Sequence, residues 1–125
     1  MFERQMTFFF TSIFKIFGAV IGFMKIRVSD EKNYLNFVLD GEKGSAIFQK
    51  PYYGLEAYLL KHISVSEKGK GLGSYLLKES LEYLKELGCE EVLVSSWPWT
   101  VGFYKKHGFE VIDSGFDEVI LRKEL

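Results

Sequence analysis

Hydrophobic positions along this chain fall into two regimes. Phe8 to Phe23 is almost continuously apolar, broken only by Thr11, Ser12, Lys15 and the glycines Gly18 and Gly22. Thr11, Lys15, Gly18 and Gly22 recur at helical spacing, so residues 1–23 are expected to hold an apolar helix with one narrow polar or small stripe. The run is shorter than the ~18 residues that a spanning helix needs, and Lys15 lies in its middle. Arg4 ahead of an apolar stretch resembles a secretory leader, but no small-x-small cleavage site follows. Three readings stay open: a helix packed on the sheet or across a homodimer, a weak membrane-surface anchor, or a leader ahead of a domain that begins at Met24.

From Met24 the period changes to two. Lys25 to Ser29, Tyr34 to Asp40, Ser45 to Gln49 and Leu55 to Val65 are predicted strands, joined by turn residues such as Gly41-Glu42-Lys43-Gly44. After a glycine loop, Leu72, Leu76, Ser80, Leu84 and Leu87 recur at helical spacing, and Gly88 stands where a helix would stop. Glu91 to Ser96 is a strand. Pro98 opens a second helix and Gly108 closes it, before a final strand pair at Phe109–Asp113 and Asp117–Arg122. The expected order is four strands, helix, strand, helix, two strands.

With 125 residues, the chain has room for one domain beyond the N-terminal segment. The 12 phenylalanines and 7 tyrosines supply a core, and a net charge of -1 gives no electrostatic case for nucleic acid. Cys89 is the only cysteine, which excludes an intrachain disulfide, and His62 and His107 alone make a metal site unexpected. A cytoplasmic setting fits these features.

The segment with most chemical content is strand, glycine loop, helix. A helix start exposes unpaired N–H groups and a partial positive charge, which suits a diphosphate. Gly71 and Gly73 remove the side chains that would keep phosphate oxygens from the backbone, Lys68 and Lys70 add charge, and Ser74 adds a hydroxyl. A glycine-rich turn with no ligand has the same local signature. The loop lacks the G-x-x-x-x-G-K-S/T of a nucleotide-triphosphate cradle. A dinucleotide fingerprint needs a small residue where Leu76 stands, and an acid where the next strand ends in Ser95-Ser96.

Lys68-Gly69-Lys70-Gly71-Leu72-Gly73 resembles the R/Q-x-x-G-x-G/A signature of the GNAT N-acetyltransferases, with lysine in the first place. Phe103-Tyr104-Lys105-Lys106-His107-Gly108-Phe109 is similar to a second segment of that family. The resemblance covers Met24 to Leu125 and leaves residues 1–23 unexplained. It implies an α/β fold with a mixed central sheet, antiparallel in its N-terminal half, with flanking helices. The usual helix pair between the first strands is missing, as in a minimal subgroup of the family. The implied activity is acetyl transfer from acetyl-CoA to a primary amine of a small molecule or a protein, without a metal. The alternative is a non-catalytic CoA-binding or protein-interaction module with the same fold.

The same resemblance implies cofactor contacts at Ile63 and Val65 through their backbones, and at Lys68, Gly69, Lys70, Gly71, Leu72, Gly73 and Ser74. It gives Tyr104 the role of proton donor to the departing thiolate, against a plain packing role. His62 is the best candidate base because histidine titrates near neutrality, and alternation groups it with Leu60 and Ser64. Glu56 is a weaker candidate. His107, near a helix end, is explained by the helix dipole, and Cys89 by core filling. Trp97 and Trp99 either line a channel for the acceptor or pantetheine, or cap the core.

Overall fold

The computed structural model describes residues 6–16, 19–52 and 56–125, with side chains from Lys25 onward. Among the described residues, eight strands form one sheet: β1 (Met6–Ile16), β2 (Ala19–Asp30), β3 (Tyr34–Leu39), β4 (Gly44–Gln49), β5 (Tyr58–Val65), β6 (Glu91–Ser96), β7 (Glu110–Ser114) and β8 (Val119–Glu124). Their spatial order is β1-β2-β3-β4-β5-β6-β8-β7. Every pairing is antiparallel except that of β5 with β6. Two α-helices, α1 (Leu72–Glu86) and α2 (Val101–Lys106), flank β6 in the chain. Among the described residues no α-helix precedes α1, as expected for a fold without the first helix pair.

Alternation decides which face carries the core. Ile26 and Val28 of β2, Leu35, Phe37 and Leu39 of β3, and Ala46 and Phe48 of β4 point to one face and are buried. Helix α1 covers this face with Leu72, Leu76, Leu77, Leu81 and Leu84. Of the stripe expected from helical spacing, Leu72, Leu76, Ser80 and Leu84 are buried, whereas Leu87 lies past the helix end and is exposed. Phe37 sets its ring edge-on to Phe48 at 5.6 Å and to Tyr83 of α1 at 5.4 Å. Ser80 is fully buried in this layer and donates its hydroxyl to the Leu76 carbonyl at 2.7 Å, so burial leaves no orphaned hydroxyl.

Both helices end on a left-handed glycine. Gly88 (φ +91°) donates to the Lys85 carbonyl at 3.0 Å while Cys89 donates to Leu84 at 2.9 Å. Gly108 (φ +88°) donates to Lys105 at 3.0 Å while Phe109 donates to Tyr104 at 3.2 Å. These are Schellman closures, and the second brings the Phe109 ring to 5.6 Å from that of Tyr104. The H-G-F sequence therefore has a structural role of its own: it stops α2 and turns Phe109 into the core.

In the described part of residues 1–23, outside which lie 1–5, 17 and 18, the expected N-terminal helix is not what forms. Residues 6–16 and 19–30 are strands that pair from Met6↔Asp30 to Ile16↔Ala19, with a bulge at Phe14/Lys15. Phenylalanine, isoleucine and valine dominate the run, and aromatic and β-branched residues fit a pleated surface better than a helix. The helical spacing of Thr11, Lys15 and Gly22 carried no structural weight, and Gly18 lies outside the described residues. Strand β2 passes through Met24 unbroken, so Met24 is no boundary between structural elements. The segment lengthens the sheet at its edge by pairing with β2. No helix among the described residues is long and apolar enough to cross a membrane.

Candidate functional site

Strands β5 and β6 run side by side for only three pairs, Tyr58↔Val92, Leu59↔Leu93 and Leu60↔Val94. Past that point β5 stays with β4 as far as Val65, and β6 stays with β8 as far as Ser96. The sheet therefore splits into a V whose walls are the ends of β5 and β6. A cleft of about 280 Å3 lies where it opens, lined by Leu59, Leu60, Lys61, Leu93, Val94, Ser95 and Ile120.

The β5 wall offers backbone donors to this gap. Ser66 donates its N–H to the Lys43 carbonyl at 2.8 Å, on the β4 side. Because N–H directions alternate along a strand, Ser64 also faces β4, and the N–H groups of Ile63 and Val65 face the gap. Both side chains pack partly against the core.

A register shift against Ile47/Phe48 interrupts β5 beside Lys61. It corrects one expectation, since Leu60 is buried whereas His62 is exposed. The extra residue of a bulge flips the side chains that follow it, so His62 and Ser64 share the face opposite Leu60, Ile63 and Val65. Glu56 lies exposed just before β5.

Beyond Val65 the chain turns through 66–71 into α1, so the β5 wall leads into the glycine loop. Gly69 (φ +79°) and Gly71 (φ +78°) both adopt left-handed backbone, and a Cβ on either would meet no protein atom within 4 Å. Gly71 is the N-cap of α1. No side chain caps that end and no acidic residue occupies its first turn. The first N–H groups of a 15-residue helix thus stand without a side-chain acceptor, beside open space and the exposed Lys68 and Lys70. These features fit a diphosphate.

The first turn of α1 is clasped by α2. A Cβ on Gly73 would lie 3.7 Å from the Phe103 ring, and Ser74 Oγ is 3.0 Å from His107 Nε2. Phe103 and His107 have ring centroids 5.2 Å apart. Burial lowers the His107 pKa below its usual value, as do the charges of Lys106, Lys123 and Lys78. His107 thus touches a candidate cofactor residue, a role that the helix-dipole explanation missed. Its place in the second motif was the available signal.

Tyr104 is buried in α2 between Phe103 (5.2 Å) and Phe109 (5.6 Å). Burial raises its phenol pKa above the ordinary value, which keeps the proton on at neutral pH. Cys89 donates its thiol to the Glu91 carbonyl at 3.3 Å, and burial raises its pKa, so it is held as a thiol. Trp97 and Trp99 stand exposed after β6 with their rings stacked, 5.2 Å apart and 3° from parallel. They do not cap the core.

The model of the acetyltransferase (GNAT) domain matches residues 11–111. The chain belongs to the GNAT family. The match begins inside β1, so part of the segment left unexplained by the motifs falls within the family domain. Among curated proteins, glucosamine 6-phosphate N-acetyltransferase of Candida albicans is 37% identical over 57 residues. That stretch is 46% of this chain and 37% of the yeast enzyme. The ribosomal-protein-S18-alanine N-acetyltransferase of Escherichia coli shares the fold with a TM-score of 0.64 and 23% identity, over 76% of this GNAT chain and 71% of that one. A GNAT acetyltransferase of Elizabethkingia anophelis with acetyl-CoA bound matches at 0.64 and 18% identity, over 74% and 77% of the two chains.

Proposed function

We propose that this GNAT chain transfers an acetyl group from acetyl-CoA to a primary amine by direct attack. The carrying observation is the V between β5 and β6, whose β5 wall runs into an uncapped α1 start. Family membership and the acetyl-CoA found in the Elizabethkingia neighbour support the donor. When bound, acetyl-CoA supplies an activated thioester. The α1 N–H groups, Ser74 and the lysines of the loop hold the diphosphate, and Gly69 and Gly71 leave room for it.

The outward N–H groups of Ile63 and Val65 stand about 6.6 Å apart along the strand, so one would bind the acyl oxygen and the other the pantetheine arm. A fixed donor stabilises developing charge at no reorganisation cost. An alkylamine with a pKa of ~10.4 is neutral in about one molecule per 10³ at pH 7, so attack gains from a base. His62, exposed on β5 where the strands part, takes that proton. Tyr104, protonated before the step, would give its proton to the departing thiolate and regain one from solvent.

Thiol release from acetyl-CoA with a panel of amines tests the reading. Tyr104→Phe is expected to lower kcat by ~10²-fold with little change in KM for acetyl-CoA, because the ring contacts survive the loss of the hydroxyl. His62→Ala should lower kcat for transfer with little change in acetyl-CoA affinity. Tight acetyl-CoA binding with no thiol release for any amine would leave a binding module without acetyltransferase activity.

A further inference from the structure

A second cleft of about 410 Å3 adjoins the V, lined by Lys61, Ser95, Ser96, Trp97, Asp117 and Glu118. Lys61 and Ser95 belong to both clefts, so the two meet at that wall. The pairings Ser95↔Ile120 and Ser96↔Val119 bring the turn that carries Asp117 and Glu118 beside the end of β6. Ser95 Oγ donates to Glu118 Oε1 at 2.5 Å and ties that carboxylate to β6. Trp97 borders the same cleft, its indole braced by the stack with Trp99.

We propose that this cleft selects an acceptor carrying a second positive charge, separate from the amine that is acetylated. The proposal rests on the acetyl-transfer reading and names its substrate class. Charge is unevenly placed along the cleft. Lys61 lies at the wall shared with the V, whereas both carboxylates and the indole lie in the second cleft alone.

A nearby ammonium disfavours protonation of a neighbouring amine, and a nearby carboxylate favours it. The reacting nitrogen must be neutral, so it belongs at the Lys61 end. Carboxylates around that same nitrogen would hold it protonated and slow the attack. Asp117 and Glu118 are therefore suited to a distal cation, which the face of Trp97 also attracts. Two carboxylates against one ammonium leave the cleft net negative, which opposes a phosphorylated amine.

The experiment compares 1,4-diaminobutane, butylamine and glucosamine 6-phosphate as acceptors for the full chain. The diamine is expected to exceed the monoamine in kcat/KM by about tenfold or more, chiefly through KM, with the sugar phosphate poorest. Asp117→Asn with Glu118→Gln should bring the diamine-to-monoamine ratio towards about two, the statistical value for two equivalent amines, and thermal unfolding of the variant establishes that it is folded. Equal use of diamine and monoamine, preference for the sugar phosphate, or a ratio unchanged in the folded variant overturns the proposal. No transfer to any amine by a chain that binds acetyl-CoA overturns the transfer reading itself.

Discussion

Replacing Gly71 by alanine separates the strain of the glycine loop from its task. Gly71 stands at the start of α1 with φ +78°, and Gly88 just past its end with φ +91°. A Cβ at either position meets nothing within 4 Å, so neither substitution creates a clash inside the protein. Each forces a non-glycine residue into left-handed backbone at ~1–2 kcal/mol, partly offset by the lower chain entropy of unfolded alanine, for a net loss of about 1 kcal/mol. With an unfolding entropy near ~2.1 cal/mol/K per residue, that loss lowers Tm by about 4 °C in a chain of this length.

Gly71→Ala and Gly88→Ala should therefore melt alike. Only the former adds a methyl group where the diphosphate is to sit, and its affinity for acetyl-CoA should fall by about tenfold or more, a change of ~1.4 kcal/mol. Calorimetry at matched temperature, with Tm from differential scanning, reads both quantities. Equal affinities in the two variants would refute the assignment of the loop to phosphate, whatever their stability.

The depressed pKa of His107 gives a second expectation. Between its folded value and the ordinary histidine value the unfolded chain binds more protons, so stability rises with pH across that window and is lost as pH falls through it. Denaturant midpoints from pH 5 to 7.5 should show this slope diminished in His107→Gln; an identical slope would exclude His107 as its source. A shortened chain beginning at Met24 would lose β1 and the first part of β2, and would bare the edge at Ile26–Asp30 that pairs with Met6–Phe10. It should aggregate or melt at lower temperature, and equal stability and activity in that chain would make the hairpin dispensable.

The sequence was most informative where local rules act alone. Helix α1 could be read from its leucine spacing, its start from the glycine loop and its end from Gly88, because 3.6-residue periodicity and left-handed closure are properties of neighbouring residues. The apolar N-terminal run misled because spacing was weighed above composition, and because the strand that pairs with Met6–Ile16 continues past the run to Asp30. His62 was assigned to the wrong face by simple alternation, which cannot reveal a bulge that arises in pairing with β4. The contact of Ser74 with His107 spans 33 positions and depends on how α2 is laid against α1. His107 was in a recognised motif and Ser74 directly followed one, but nothing in either motif says that they touch.

Among the described residues, three pairs are all the backbone pairing that joins β1–β5 to β6–β8–β7. Each block is held internally by antiparallel ladders, and the seam between them is short and parallel, the slightly weaker geometry. Local opening should concentrate there, with amide exchange around Leu59 and Leu93 faster than in the ladders of β3 and β4. A ligand lying along the V, bonded to β5 and packed against β6, would work as a removable splint. Occupancy would then slow exchange on β5 and β6 together, including amides that the ligand never touches. The seam that makes room for the chemistry is thus also the joint at which the empty protein is easiest to pull apart.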